Sequence, residues 1–169
     1  METLDYKKLQ DEEAIEFEFF RNQDAYHLGS YISEEAIRNN YPIIIRIEKN
    51  NDLIYQYAND NTSSDNSWWI EKKINVVKKF NKSSAFIFEK FKSRNKRFED
   101  IYINDNTCIL APGAVPIKVK NVGVIGVIAI SGLDSVNDHQ LIIKGLNHLL
   151  EEQKNKSKEK NSIKDRKGE

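Results

Sequence analysis

Three apolar patterns organise this chain. Ala25, Leu28, Ile32 and Ala36 recur at helical spacing and predict a helix over Gln23–Arg38 with one face in a core. Ile15, Phe17 and Phe19 alternate with Glu16 and Glu18, a period of two that predicts a half-buried strand in AIEFEFF. Val122–Ser131 is nearly continuous in Val, Ile and Gly, which predicts a strand covered on both faces and central in its sheet.

The remaining elements follow from the same patterns. Residues 2–13 read as a short polar helix with Thr3 as a candidate N-cap. Pro42–Glu48 and Leu53–Tyr57 are β-rich runs around Lys49–Asp52, a hairpin signal. Ile70, Ile74 and Val77 predict a helix over Trp68–Asn81 that continues to about Phe91. Residues 92–106 read as a charged loop with one helical turn, and Thr107–Leu110 as a short strand. Ala111–Pro116 is a turn, and Val115–Lys120 pairs with Val122–Ser131 around Asn121. Gly123 and Gly126 leave room for close approach of a backbone or ligand. Ile142, Leu146, Leu149 and Leu150 line a last helix over Ser135–Gln153, capped by Ser135 and Asp138. Residues 1–153 thus form a single domain, and the lysine-rich stretch 154–169 reads as a disordered tail. Two hairpins among helices point to an α+β fold with an antiparallel sheet.

Composition narrows the function. The 26 basic and 26 acidic residues cancel, which argues against a dedicated nucleic-acid binder. No apolar run approaches the length of a membrane span, and the charged N-terminus is no signal peptide. A single cysteine, Cys108 in the apolar run TCILA, fits a reducing compartment and reads as a buried small hydrophobe. These features together predict a cytoplasmic location.

Four segments carry a resemblance: DAYHLGSYISEEA (24–36), DNSWWIEKKINVVKKFNKSS (65–84), PGAVPI (112–117) and VGVIGVIAISGLDSVNDHQLI (122–142). Over residues 13–150 the chain resembles the haem-degrading-domain family of GlcG- and HbpS-like proteins, in its uncharacterised bacterial and fungal branch. The resemblance implies a profilin-like sandwich, a central antiparallel β-sheet flanked by helices on both faces. It also implies a homo-oligomer, either a dimer or a ring of dimers. Its implied ligand is haem or another planar or anionic metabolite, so haem is the candidate cofactor. Two departures stand out. Lys72 precedes Lys73 where relatives often carry Arg, and Ala111–Ala114 replaces a Gly-Gly pair, which weakens any backbone anion nest there.

The candidate ligand-binding residues are Asp65, Asn66, Trp69, Lys73, Gly113, Pro116, Ser131, Gly132, Asp138 and His139. Asp65 or Asn66 could cap the long helix. Trp69 and Lys73 are four apart, on one helix face, and suit a planar acidic ligand; equally, Trp packs under the sheet while Lys snorkels to water. His139 reads either as an iron ligand or proton carrier, or as a hydrogen-bonded structural residue. His27 reads as structural or superficial and His148 as solvated. Ser83 and Ser84 suit a helix end, and Ser131–Gly132 a glycine-dependent turn. Asp138 and His139 as a proton-transfer pair would support a hydrolase or isomerase, but adjacent helical residues point about 100° apart. Zinc-ligand spacing, phosphate loops and dinucleotide fingerprints are absent. Trp68 is a candidate interface anchor, and it motivates an alternative reading as a non-catalytic assembly or adaptor protein.

Overall fold

The computed structural model describes residues 4–103 and 106–166, the last three as backbone only. Its elements are α1 (Tyr6–Glu12), α2 (Asn22–Asn39), β1 (Ile44–Lys49), β2 (Asp52–Ala58), α3 (Ser64–Phe80), α4 (Ser84–Ser93), a 3-10 turn (Phe98–Ile101), β3 (Ala114–Val119), β4 (Gly123–Ser131) and α5 (Ser135–Arg166). The strands form one antiparallel sheet in the order β2-β1-β4-β3. β4 is interior, as its unbroken apolar run requires.

Helices cover both faces, so the chain is an α+β sandwich. On one face, Ile43, Ile45, Ile47, Ile128 and Ile130 pack with Leu28 and Ile32 of α2 and Ile142 and Leu146 of α5. On the other, Ile44, Val127 and Ala129 meet Ile70, Ile74 and Val77 of α3. Neighbouring residues of β1 and of β4 therefore point into separate cores, as the two-residue strand period demands. A third cluster joins Val76 of α3 with Ile87 and Phe91 of α4 and Phe98 of the 3-10 turn.

Asparagine punctuates this glycine-poor chain. Of eight described non-glycine residues with positive φ, seven are Asn, and they mark the breaks between elements. Asn50 and Asn51 form the β1–β2 turn, while Asn40 ends α2. Asn81 ends α3, and Ser83 N-caps α4 by accepting from Phe86 N at 3.1 Å. The single helix expected from Trp68 to Phe91 is therefore two, and the first begins earlier, at Ser64.

Other expectations are corrected. AIEFEFF is no strand: a single bridge joins Phe17 to Val119, with Phe17 N donating to Lys118 O at 2.9 Å. Phe17 and Phe20 are buried but Phe19 is exposed, so the apparent alternation breaks at its third position. No strand forms over 107–110, and Cys108 is half-buried against the third cluster. Asp5 caps α1; Thr3 lies outside the described residues. α5 runs on past Gln153, the end expected for the last helix, to Arg166. Its extension is rich in good helix formers and carries a Lys154–Glu151 pair, and its side chains from Lys154 to Ile163 are exposed. Gly126 does allow a close approach, to Glu48 O of β1, whereas nothing lies near Gly123.

Gly132 sets the β4–α5 turn. Its φ is +148°, and an added β-carbon would lie 2.0 Å from Pro42 O. Gly132→Ala is expected to cost roughly 2 kcal/mol or more, because backbone has to shift at a strained position. Urea denaturation of the variant checks this.

Candidate functional site

Lys73 projects from the middle of α3 past the start of β3 and ends in the layer that holds α5. Its ammonium donates to Asp138 Oδ2 at 2.9 Å and to Ile130 O at 3.1 Å. The two side chains are 2% and 1% exposed. The second Asp138 oxygen accepts from Leu133 N at 3.0 Å. Gly113 makes the passage possible: its φ is +118°, and an added β-carbon would lie 2.6 Å from Lys73 Nζ. Its carbonyl accepts from Ile130 N at 2.9 Å, tying the turn to β4.

This geometry overturns the expectation that Lys73 snorkels to water: its ammonium is buried and pairs with Asp138 inside the protein. Burial pushes the Asp138 carboxyl up to about 6, and the Lys73 ammonium pulls it the other way. Asp138 is also no cap. Asp134 does that work, its Oδ1 accepting from Asn137 N at 3.1 Å.

His139, the next residue, points elsewhere. It is 1% exposed, and its Nε2 lies 2.6 Å from Glu12 Oε2 of α1. Asp138 and His139 thus serve different partners, and no proton-transfer pair exists between them. Asp65, Asn66 and Trp69 lie in the first turns of α3. Trp69 Nε1 donates to Asp65 Oδ2 at 3.1 Å, and Asn66 Oδ1 accepts from Ser63 N at 2.9 Å in a capping box. Trp69 and Lys73 thus make separate polar contacts, with Asp65 and with Asp138. Ser131 ends β4, buried opposite Ile44. Pro116 lies in edge strand β3 opposite Val127. Two residues earlier, Ala114 N turns outward to Ser84 Oγ at 3.0 Å, so the N–H that proline lacks falls on the outer side of the sheet. His27 is exposed, and His148 stacks on Tyr31 at 3.9 Å.

A cleft of about 650 Å³ opens beside the buried pair. Phe88, Glu89 and Lys92 of α4 form one wall. Leu110, Ala111 and Pro112 form the floor, and Asp134–Asn137 with Leu4 close it. Apart from the Pro112 flank and the α5 start, spacing did not point to these residues. They come from segments that meet only in the folded chain. Among the described residues, no group of three His, Cys, Asp or Glu side chains could hold a metal ion. Nor is any described helix long and apolar enough to cross a membrane.

Fold and site define a small α+β domain with an apolar cleft at one sheet end. Residues 20–147 match the family model for the haem degrading protein HbpS-like family, and the chain belongs to that family. A UPF0303 protein of Psychromonas ingrahamii is 34% identical over 143 residues, spanning 84% of this chain and 90% of that protein. One from Zymomonas mobilis subsp. mobilis is 34% identical over 138 residues, spanning 81% and 74%. The crystal structure of Ybr137w protein superposes with a TM-score of 0.80 at 26% identity, over 88% of this chain and 89% of that one. The PduOC:Heme complex shares the fold, with a TM-score of 0.63 at 13% identity over 76% and 93%.

Asp138→Ala removes the partner of a buried ammonium and the acceptor of Leu133 N together, and is expected to cost about 3–5 kcal/mol. Adding Lys73→Met should recover a large part of that loss, which a double-mutant cycle by chemical denaturation would measure. Asp138 holds its proton more tightly folded, near 6, than at its ordinary 3.8. The native state therefore binds more protons between those values. The stability this group supplies is full below 3.8 and is lost as pH rises through 6. That part of the pH slope should vanish in the double variant.

Proposed function

We propose that this chain is a cytoplasmic small-ligand-binding protein whose site is the cleft between α4, the 110–112 turn and the start of α5. The cleft itself carries the reading. It has the volume of a typical small-molecule site, and Leu4, Phe88, Leu110, Ala111, Pro112 and Val136 give it an apolar lining. Family membership and the haem-complex neighbour support a planar ligand.

The residues present do not fit an iron-ligated haem. Among the described residues, the cleft lining contains no His, Cys, Met or Tyr. His139 is engaged with Glu12, and Lys73, the residue suited to a propionate, is spent on Asp138. Around the cleft, Glu89 and Asp134 outnumber Lys92, whose ammonium lies 3.5 Å from Glu89. The lining favours an apolar, uncharged ring over an anion.

Titration with Nile red, a neutral planar probe, tests this. Enhanced fluorescence is expected with wild type, weakened about tenfold or more by Val136→Trp, which fills the cleft. Haem titrated in parallel should show no ligand-field spectrum that depends on His139. A Soret shift lost in His139→Ala would overturn the metal-free reading, and failure of Nile red to bind would overturn the site.

A second reading, an assembly protein acting through contacts with other chains, has its own observation. Trp68 is 50% exposed on α3, with Lys72 Nζ 4.2 Å from its ring centre. An exposed aromatic beside a cation is the chemistry of an interface anchor. In this reading the protein is a homo-oligomer, a dimer or a ring of dimers. Light scattering should then report a multiple of 19.7 kDa for wild type and a smaller particle for Trp68→Glu. An unchanged mass would remove Trp68 from the interface.

A further inference from the structure

Helix α1 has only seven residues, too few to hold helical shape alone. Its structure depends on what it docks against. Leu9 is buried, and Tyr6 stacks on Phe86 of α4 with ring centres 5.3 Å apart. Its C-terminal end carries the polar contacts. Glu12 meets His139 of α5. The adjacent Glu13 accepts from Ser83 N at 2.7 Å and from Lys118 Nζ of β3 at 3.1 Å, and its carbonyl accepts from the same ammonium at 2.6 Å. The other His139 nitrogen is buried with no hydrogen-bond partner among the described residues, so Glu12 supplies the polar contact this imidazole makes. Two neighbouring carboxylates thus fasten α1 to α5, β3 and the start of α4.

At the other end of α1 stands Leu4, a wall of the cleft. The match to the family model begins at residue 20, so this wall lies outside the segment that defines the family. We infer that α1 is a latch on the ligand cleft, in which Glu12 and Glu13 are positioning residues that hold Leu4 against a bound apolar, uncharged molecule. This rests on the cleft being the ligand site. Loss of either carboxylate contact frees a segment that has no stability of its own, so α1 opens as a unit while the sandwich stays folded.

The full chain loaded with Nile red tests the latch. In the Glu12→Gln, Glu13→Gln double variant, hydrogen exchange across residues 6–13 should quicken, with exchange in β1 and β4 unchanged. Nile red dissociation should quicken by about tenfold, the scale of one lost charge-assisted contact. Leu4→Ala should speed dissociation without speeding exchange in α1, and it keeps the test open if the double variant folds poorly. Quickened exchange with unchanged dissociation in both variants would overturn the latch and leave the cleft standing. Unchanged exchange in the double variant would show that the carboxylates do not hold α1, and would also overturn it. Wild-type binding that is absent, or indifferent to Val136→Trp, would instead remove the cleft, and the latch with it.

Discussion

The buried ion pair between Lys73 and Asp138 constrains the rest of this structure. It joins α3, on one face of the sheet, to α5, on the other. Two charges withdrawn from water are costly, and their attraction repays that cost only when the remaining donors and acceptors are also satisfied. Here Ile130 O and Leu133 N complete the set. The pair explains why several residue types recur close together in the chain. Gly113 must lack a side chain for the ammonium to pass. Gly132 must turn the chain against Pro42 so that Leu133 N can reach the carboxylate. The stretch from Ser131 to His139 holds the start of α5 in place.

That anchorage also shapes the cleft. Ala111 and Pro112 lie immediately before Gly113, and Asp134–Asn137 immediately before Asp138. The floor and the closing segment are therefore short stretches leading into the buried pair, and their spacing follows from its geometry. Binding sites built on loops work when a rigid scaffold sets the loop positions. The pair sets the positions of these segments, and α4, fixed by Ser83 and by the Ser84–Ala114 contact, supplies the opposing wall of the cleft.

Membership in the HbpS-like family places the fold, and the chemistry depends on this chain's own side chains. The residues best suited by type to hold haem, His139 and Lys73, are committed to Glu12 and Asp138. Both contacts are internal. The cleft offers apolar surface instead.

Much of the fold was legible in local pattern. The buried faces of α2, α3 and α5, both hairpins and the interior place of β4 follow from periodicity and turn residues, because burial on one face leaves a local spacing. Where a short pattern was ambiguous, tertiary structure decided. AIEFEFF alternates but has β3 for a neighbour at one point only. The site lay beyond local reading for a firmer reason. Lys73 and Asp138 are 65 residues apart, and Glu12 and His139 are 127 apart. Periodicity reports which way a side chain faces along its own element; it holds no record of which distant charge comes to meet it. The sequence by itself determined the main helices, the two hairpins and the α+β class. Only the folded chain decided that its most tempting polar residues would neutralise one another, and that the open cleft would be lined by residues with no motif to announce them.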